Sequence, residues 1–397
     1  MSVRKQLRTA LCGLALTGLV VTAAPAIAVA TPAATGAAKV SPVAAAEDAA
    51  ARALARSFAD SAWRAEAGSA VAGGAETGLG ALAETSRTRA AASLATVVAA
   101  ADRAVVAAKG LPAGTGGLLT VTLAGARGSG RAPLVAVEPS DDEITAVTAY
   151  DTRGRAHTLD ASRMPDVPVY VVGVDGEKAV EAGTRVLERE LAAAGVTTAA
   201  ANATAATAPA ASTAPTAPTT STASTTSTTS TASSTGFWTS RITSVRLADD
   251  KETWIKGDAE IFSIVSGFGL DGKVRVDTVT HPYLDDAGTT YHPNQILVNW
   301  SLYKYNLADA VMMEDDGDTD YSALAKAIAA ALLTIADLGA YIPLVDPVVD
   351  ALPSSFWTDD ADFVDAWYTL AREMTGTRDG AGANGRFTFD RYWVSAL

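Results

Sequence analysis

Apolar and polar positions divide the chain into two patterned regions separated by a tract with no pattern. In the first region, Leu54, Phe58 and Ala62 recur at helical spacing from Glu47 onward, with Arg52, Arg56 and Asp60 on other faces. A second, Ala-rich helix is predicted over residues 85–109, closed by Gly110 and Pro112. Strand-like runs follow at residues 118–123, 134–137 and 144–150. The turn DTRG at 151–154 then lets residues 155–159 pair back as a hairpin. Residues 167–174 (VPVYVVGV) form the most apolar strand. They lead into a helix over 177–194 with Val180, Val186, Leu187 and Leu191 inward and Gly195 as its stop. Helices and strands come in blocks, the order of an α+β domain.

Residues 197–235 consist of Ala, Thr, Ser and Pro with a single Asn202. Such a tract has nothing to bury and cannot offset the entropy of ordering itself. It reads as a linker able to span roughly 120 Å if polyproline-like, with the composition of an O-glycosylated stalk.

The second patterned region opens with strands. Ile242, Val245 and Leu247 alternate with polar residues, and residues 259–268 are apolar on both sides, as in a doubly covered strand. Val274 and Val276 alternate with charges. Ile296, Val298, Trp300 and Leu302 form a period-2 face, with Asn299, Ser301 and Tyr303 opposite. Asp320 is an N-cap for a helix over 321–338. Asp359 or Asp360 would cap another running to Met374, with Phe363, Trp367, Leu370 and Met374 on one face. A last strand starts at Phe387 and Phe389. The pattern predicts a β-sandwich or half-barrel with one or two packed helices.

Composition sharpens this division. Of the 25 aromatic residues, 21 lie in residues 237–397, which also hold 25 Asp/Glu against 12 Lys/Arg; residues 1–236 hold 19 of each. The whole formal charge of −13 therefore belongs to the C-terminal region. An acidic surface argues against nucleic-acid binding.

The N-terminus has the form of an export signal. Arg4, Lys5 and Arg8 precede an apolar stretch over 10–21, and Ala26-Ile27-Ala28 or Ala28-Val29-Ala30 offers a cleavage site. The competing reading is an uncleaved anchor over 10–30; Pro25 and the Ala-x-Ala pattern favour cleavage, which would leave no transmembrane span. Cys12, the only cysteine, lies inside this segment. A mature chain without it has neither thiol nor disulfide.

Catalytic scans find no recognisable motif. His157 precedes Thr158, and His281 and His292 precede prolines, so no H-E-x-x-H exists; no G-x-S-x-G occurs either. A Ser-His-Asp arrangement through His281 or His292 stays open, but nothing selects a serine. Residues 380–385 (GAGANG) match G-x-G-x-x-G in the wrong order, after a predicted helix and before a strand, and read as a flexible loop.

The carboxylate clusters are the chemical signal: 249–252, 314–320 and 359–362. Asp316, Asp318 and Asp320 alternate, as ligands converging on Ca²⁺ would, with Asp249, Asp250 or Glu252 completing the oxygen count. The plainer reading is helix capping and solubility, although so dense a cluster repels itself unless a cation relieves it. Trp238, Trp254, Tyr291 and Trp357 sit in loop-like contexts and are candidate ligand platforms; Trp300 and Trp367 lie on apolar faces and read as core.

WIKGDAEIFSIVSG (254–267), YHPNQILVNWSLY (291–303), VMMEDDGDTDY (311–321) and WTDDADFVDAWYTL (357–370) together resemble exported bacterial proteins of Domain of Unknown Function 3103. The export signal and Ala-rich bias look actinobacterial. The resemblance covers mainly 237–397, with weaker similarity around 134–174. It implies an extracytoplasmic protein and carries over no activity, substrate or catalytic residue.

The sequence thus predicts an α+β protein: a signal at 1–30, a loose leader at 31–46, an α+β domain at 47–196, a linker at 197–235 and an acidic β module at 237–397. The expected function is a secreted or cell-wall-associated, non-catalytic binding or surface-interaction protein, with Ca²⁺ in the C-terminal module and an extracellular glycan or surface component as partner. The alternative is an extracellular hydrolase acting on a polysaccharide or lipid.

Overall fold

The structure, a computed structural model, describes residues 41–74, 76–125, 131–139, 144–199, 236–249, 255, 259–315, 317–352 and 363–395. The export signal, Cys12, the leader up to residue 40 and nearly all of the 197–235 tract lie outside the described residues. Those described form an α+β fold with seven helices and fourteen strands in three sheets.

The first helix, α1 (Pro42–Ser57), begins before the position expected from periodicity. The Ser41 hydroxyl accepts the Ala44 amide and Pro42 occupies the first turn, where its missing N–H costs nothing. The short helices α2 (Ser61–Ala70) and α3 (Leu79–Thr85) precede α4 (Arg89–Ala108), which is capped by Thr88. By length and composition α4 could cross a bilayer. Here its Ala91, Leu94, Val98 and Val105 are buried, and it packs against α1.

Strands β1 (Thr77–Gly78), β2 (Leu119–Gly125), β3 (Leu134–Val137), β4 (Ala146–Tyr150), β5 (Ala156–Asp160) and β6 (Pro168–Val174) form one sheet in the order β1-β2-β6-β3-β4-β5. Only β3 and β6 run parallel. Helix α1 packs on β3 and β6. The chain then turns into α5 (Gly176–Ala194), which ends at Gly195 in the left-handed conformation, as its sequence predicts.

The C-terminal segment is a two-sheet sandwich. One sheet is ordered β10-β7-β14-β13, from β7 (Gly236–Leu247), β10 (Gln295–Asn299), β13 (Gly376–Asp379) and β14 (Gly385–Ser395). The other is ordered β12-β11-β8-β9, from β8 (Ile261–Gly269), β9 (Val274–Thr280), β11 (Tyr303–Glu314) and β12 (Phe363–Ala371). Ile242, Val245, Phe387 and Phe389 meet Val265, Met312, Trp300 and Trp367 between the sheets. All nine residues of β8 are buried, because α5 and α6 (Tyr321–Leu332) cover the second sheet's outer face and α7 (Val345–Ala351) packs on β11 and β12.

That outer face is where the two patterned regions join. Phe262, Ile264, Val276 and Val311 share one hydrophobic cluster with Leu54, Leu94, Val180 and Leu187. Gly183 of α5 leaves room for the Tyr321 ring, which would collide with any Cβ there. Thr197, just past α5, exchanges backbone hydrogen bonds with Val274 and Val276 on the edge of β9.

Three expectations from periodicity need correction. The stretch after residue 362 is a strand, not a helix. Its register against β11 shifts twice, once near Val364 and once near Thr369, which has φ 54°. These bulges bring Val364, Trp367 and Leu370 to the same face at a spacing of three, which imitates a helical stripe. Asp359 and Asp360 lie outside the described residues. The face at 296–302 is interrupted by a bulge after Ile296, which is exposed, and by a 3-10 turn over Trp300–Leu302. Finally, α6 stops at Leu332, and Leu338 is exposed.

Candidate functional site

The GAGANG loop follows strand β13, not a helix, and it encloses a side chain of the protein itself. The amides of Gly382, Asn384 and Gly385 donate to the fully buried Asp365 carboxylate at 2.6, 2.9 and 2.6 Å, and Ala366 N adds a fourth at 2.8 Å. Its anion-binding capacity is already used. His281 also resolves into a structural role. Its Nε2 lies 2.8 Å from Ser263 Oγ and its Nδ1 2.8 Å from Gln295 Oε1. Ser263 and His281 are both fully buried, so no substrate reaches the pair. Burial pushes the imidazole down to about 4 and keeps it neutral.

A cavity of about 770 Å³ lies where α1, the β2–β6 face and the start of α5 meet the ends of β8, β9 and β11. Among the described residues nine carboxylates line it: Glu47, Glu76, Glu138, Glu177, Glu181, Glu260, Asp285, Asp315 and Asp318. No Lys, Arg or His is among the described lining residues. Two glycines make space for these side chains. A Cβ on Gly173 would strike the Glu138 carboxylate, and one on Gly176 would strike that of Glu260. Glu47 and Asp315 are buried and form the floor; Glu76, Glu177, Glu181 and Asp318 are exposed and form the rim.

The floor is built around one buried cation. Lys109, at the C-terminus of α4, donates from Nζ to Asp315 Oδ1 and to the Gly317 carbonyl, each at 2.7 Å. Tyr321 donates its hydroxyl to Asp315 Oδ2 at 2.8 Å, and the Tyr321 amide donates to the Lys109 carbonyl. Lys109 and Asp315 are both inaccessible to solvent. Glu47 has no such partner. It is 6 % exposed and its carboxyl takes no hydrogen bond among the described residues. Burial raises its pKa well above the ordinary value, Glu138 and Asp318 raise it further, and Lys109 opposes them only in part.

The residues proposed from sequence scatter around this cavity. Asp318 reaches it, accepting the Ser41 hydroxyl at 2.7 Å. Asp320 is occupied as the N-cap of α6, taking the Ser322 and Ala323 amides. Asp249 is tied through its backbone to Asn384 and does not line the cavity. Asp316, Asp250, Glu252, Trp254 and Trp357 lie outside the described residues. Trp238 stacks edge-on against Trp393 at 5.2 Å, with the Arg391 guanidinium 4.3 Å from its ring centroid. The Tyr291 hydroxyl is held by the Asp286 amide. Neither aromatic lines the cavity. Among the described residues no group of three His, Cys, Asp or Glu side chains is placed to hold a metal ion.

A family model described as "Protein of unknown function (DUF3103)" matches residues 51–396. The chain belongs to this family. No curated protein and no solved structure matches it. In this DUF3103 member the matched span includes eight of the nine cavity carboxylates, all but Glu47. The family description carries no activity, so the cavity's own chemistry has to supply the functional reading.

Most of this site leaves little trace in the sequence, because five of its nine acids, Glu47, Glu76, Glu138, Glu177 and Glu181, are spread over the charge-balanced half of the chain. One signal was available. Glu47 falls on the buried stripe of α1 with Val43, Ala50, Ala51 and Leu54, the one acid on that helix's apolar face.

Proposed function

We propose that this protein is an exported, non-catalytic binding protein whose recognition site is the acid-lined cavity, and that its ligand is cationic. One observation carries the reading: among the described residues, nine carboxylates and no basic side chain line a single cavity. A cleft lined by one sign of charge focuses the field and concentrates counter-ions. Its volume falls within the roughly 300–1,000 Å³ of small-molecule sites. Calcium remains among the candidate ligands through Asp318, with Asp316 and Asp320 as its sequence neighbours. The recognition unit then includes the N-terminal half, because α1, β6 and α5 supply much of the lining.

The test is a thermal-shift and calorimetric screen of the intact mature protein with Ca²⁺, Mg²⁺, organic amines and neutral glycans. At a hundredfold excess over Kd, a ligand specific to the folded state stabilises it by about 2.7 kcal/mol. A shift with cations and none with neutral glycans is expected; no response to any cation would discard the reading.

A second reading is favoured by Glu47, whose raised pKa beside other carboxylates is the environment of a general acid in glycoside hydrolysis. Hydrolysis of a polysaccharide or ester substrate that disappears in Glu47→Gln would establish it.

A further inference from the structure

The cavity's dimensions and its unpartnered floor acid point to a narrower class of ligand. We propose that the occupant is an alkyl polyamine, a chain of ammonium groups separated by methylenes, with its innermost nitrogen on Glu47. The inference rests on the cation-binding reading above.

Four observations support it. Glu47 is buried and turned into the cavity one helical turn from Val43, and it receives no hydrogen bond among the described residues. A buried carboxyl left in this state lacks the donor that buried polar groups normally have. An ammonium supplies up to three. The adjoining wall already holds one ammonium, that of Lys109, on the Asp315 carboxylate and the Gly317 carbonyl. A cavity of about 770 Å³ is far larger than a bare ion needs, and no three carboxylates among the described residues converge as metal ligands.

The uncharged lining then sets the rest of the ligand. Val43, Leu123, Val174, Val180 and Ile261 lie between the acids and would cover methylene groups. Among the described residues no aromatic side chain lines the cavity, so these residues offer no platform of the kind that a pyranose face or a quaternary ammonium prefers. Primary and secondary amines, which donate hydrogen bonds, fit this lining better. Glu177 on α5 stands at the rim for an outer ammonium, beside Glu181, which is paired with Arg185.

Seating an ammonium on Glu47 displaces the carboxyl proton to solvent. The charged groups acting on Glu47 are Glu138 after β3, Asp318 after β11 and Lys109 at the end of α4. Affinity should therefore rise with pH above the ordinary glutamate range, and binding should release a proton, which appears as a dependence of the binding enthalpy on the buffer.

The experiment is calorimetry of the full mature chain with spermidine and, separately, CaCl2, near physiological ionic strength and in two buffers of different ionisation enthalpy. One spermidine per chain is expected. Losing one charged hydrogen bond should weaken it at least about tenfold in Glu47→Gln. Glu138→Gln should weaken it less, and Glu373→Gln, outside the cavity, should leave it unchanged. Melting of each variant at low pH, where wild-type Glu47 is neutral, checks that the fold is intact. Calcium binding without spermidine binding would overturn the polyamine and leave the cation reading standing; no binding of either would remove both. Equal weakening in Glu47→Gln and Glu373→Gln would reduce the effect to general surface charge and overturn the proposal.

Discussion

Glu47 and His281 are both buried and both held neutral, and they act on stability in opposite pH directions. The folded pKa of His281 lies near 4 against an ordinary 6.5. Its contribution is therefore present above 6.5 and lost as pH falls from there towards 4. Across that range the loss reaches about 3 kcal/mol at its limit. The folded pKa of Glu47 is raised, so stability is fully present below about 4.5 and declines as pH climbs through the folded value. Urea unfolding at a series of pH values should show both limbs. Glu47→Gln should flatten the alkaline limb and His281→Gln the acid one; an unchanged limb in either variant would sink that assignment. Only part of this was legible in the sequence. The aspartates of 314–320 announce themselves by density, and one of them, Asp318, does reach the cavity. Glu138 and Glu260 give no local sign, because what makes them cavity residues is a glycine on another element lying beneath each carboxylate.

At the level of elements, β12 shows how a spacing rule can point the wrong way. Its two bulges convert a period of two into a period of three over Val364, Trp367 and Leu370, and the buried Asp365 sits between them. The strands without bulges inside a single apolar face, such as β6 and β8, were readable from their side chains alone. Asp365 also explains why GAGANG need not be mobile: four amides converge on one carboxylate. Asp365→Ala would leave those donors buried without a partner, at about 1–3 kcal/mol for each that water cannot reach. The expected result is a loss of several kcal/mol in chemical unfolding. Asp365→Asn, which keeps the shape and one acceptor oxygen, should lose less. Equal stability of Asp365→Ala and wild type would mean that the loop does not depend on its carboxylate.

For the whole molecule, the composition break at 197–235 marks a change in the chain without marking an edge of the core. Phe262 and Val311 share a hydrophobic cluster with Leu94 and Leu187, and the Lys109–Asp315 pair joins the two halves where solvent is absent. Breaking such a pair by removing one partner typically costs about 3–5 kcal/mol. A protease that cuts within 200–235 should therefore yield two fragments that co-elute and retain the melting temperature of the intact protein. The 237–397 fragment made alone should expose Tyr321, Leu324 and Ile328 and bind hydrophobic dyes. A well-folded, monomeric 237–397 fragment would show that the shared cluster is dispensable.

The separation along the chain of the groups that meet at the cavity also sets when it can exist. Lys109 and Asp315 are 206 positions apart, and Ser41 and Asp318 are 277 apart. Contacts this distant bear their loop-closure cost before they return any stability, so they form late. A chain emerging amino-end first would present α1, with its unpartnered acid, long before the second wall arrived. The cavity is thus among the last features to mature, and a nascent chain should lack it until its C-terminal strands have folded.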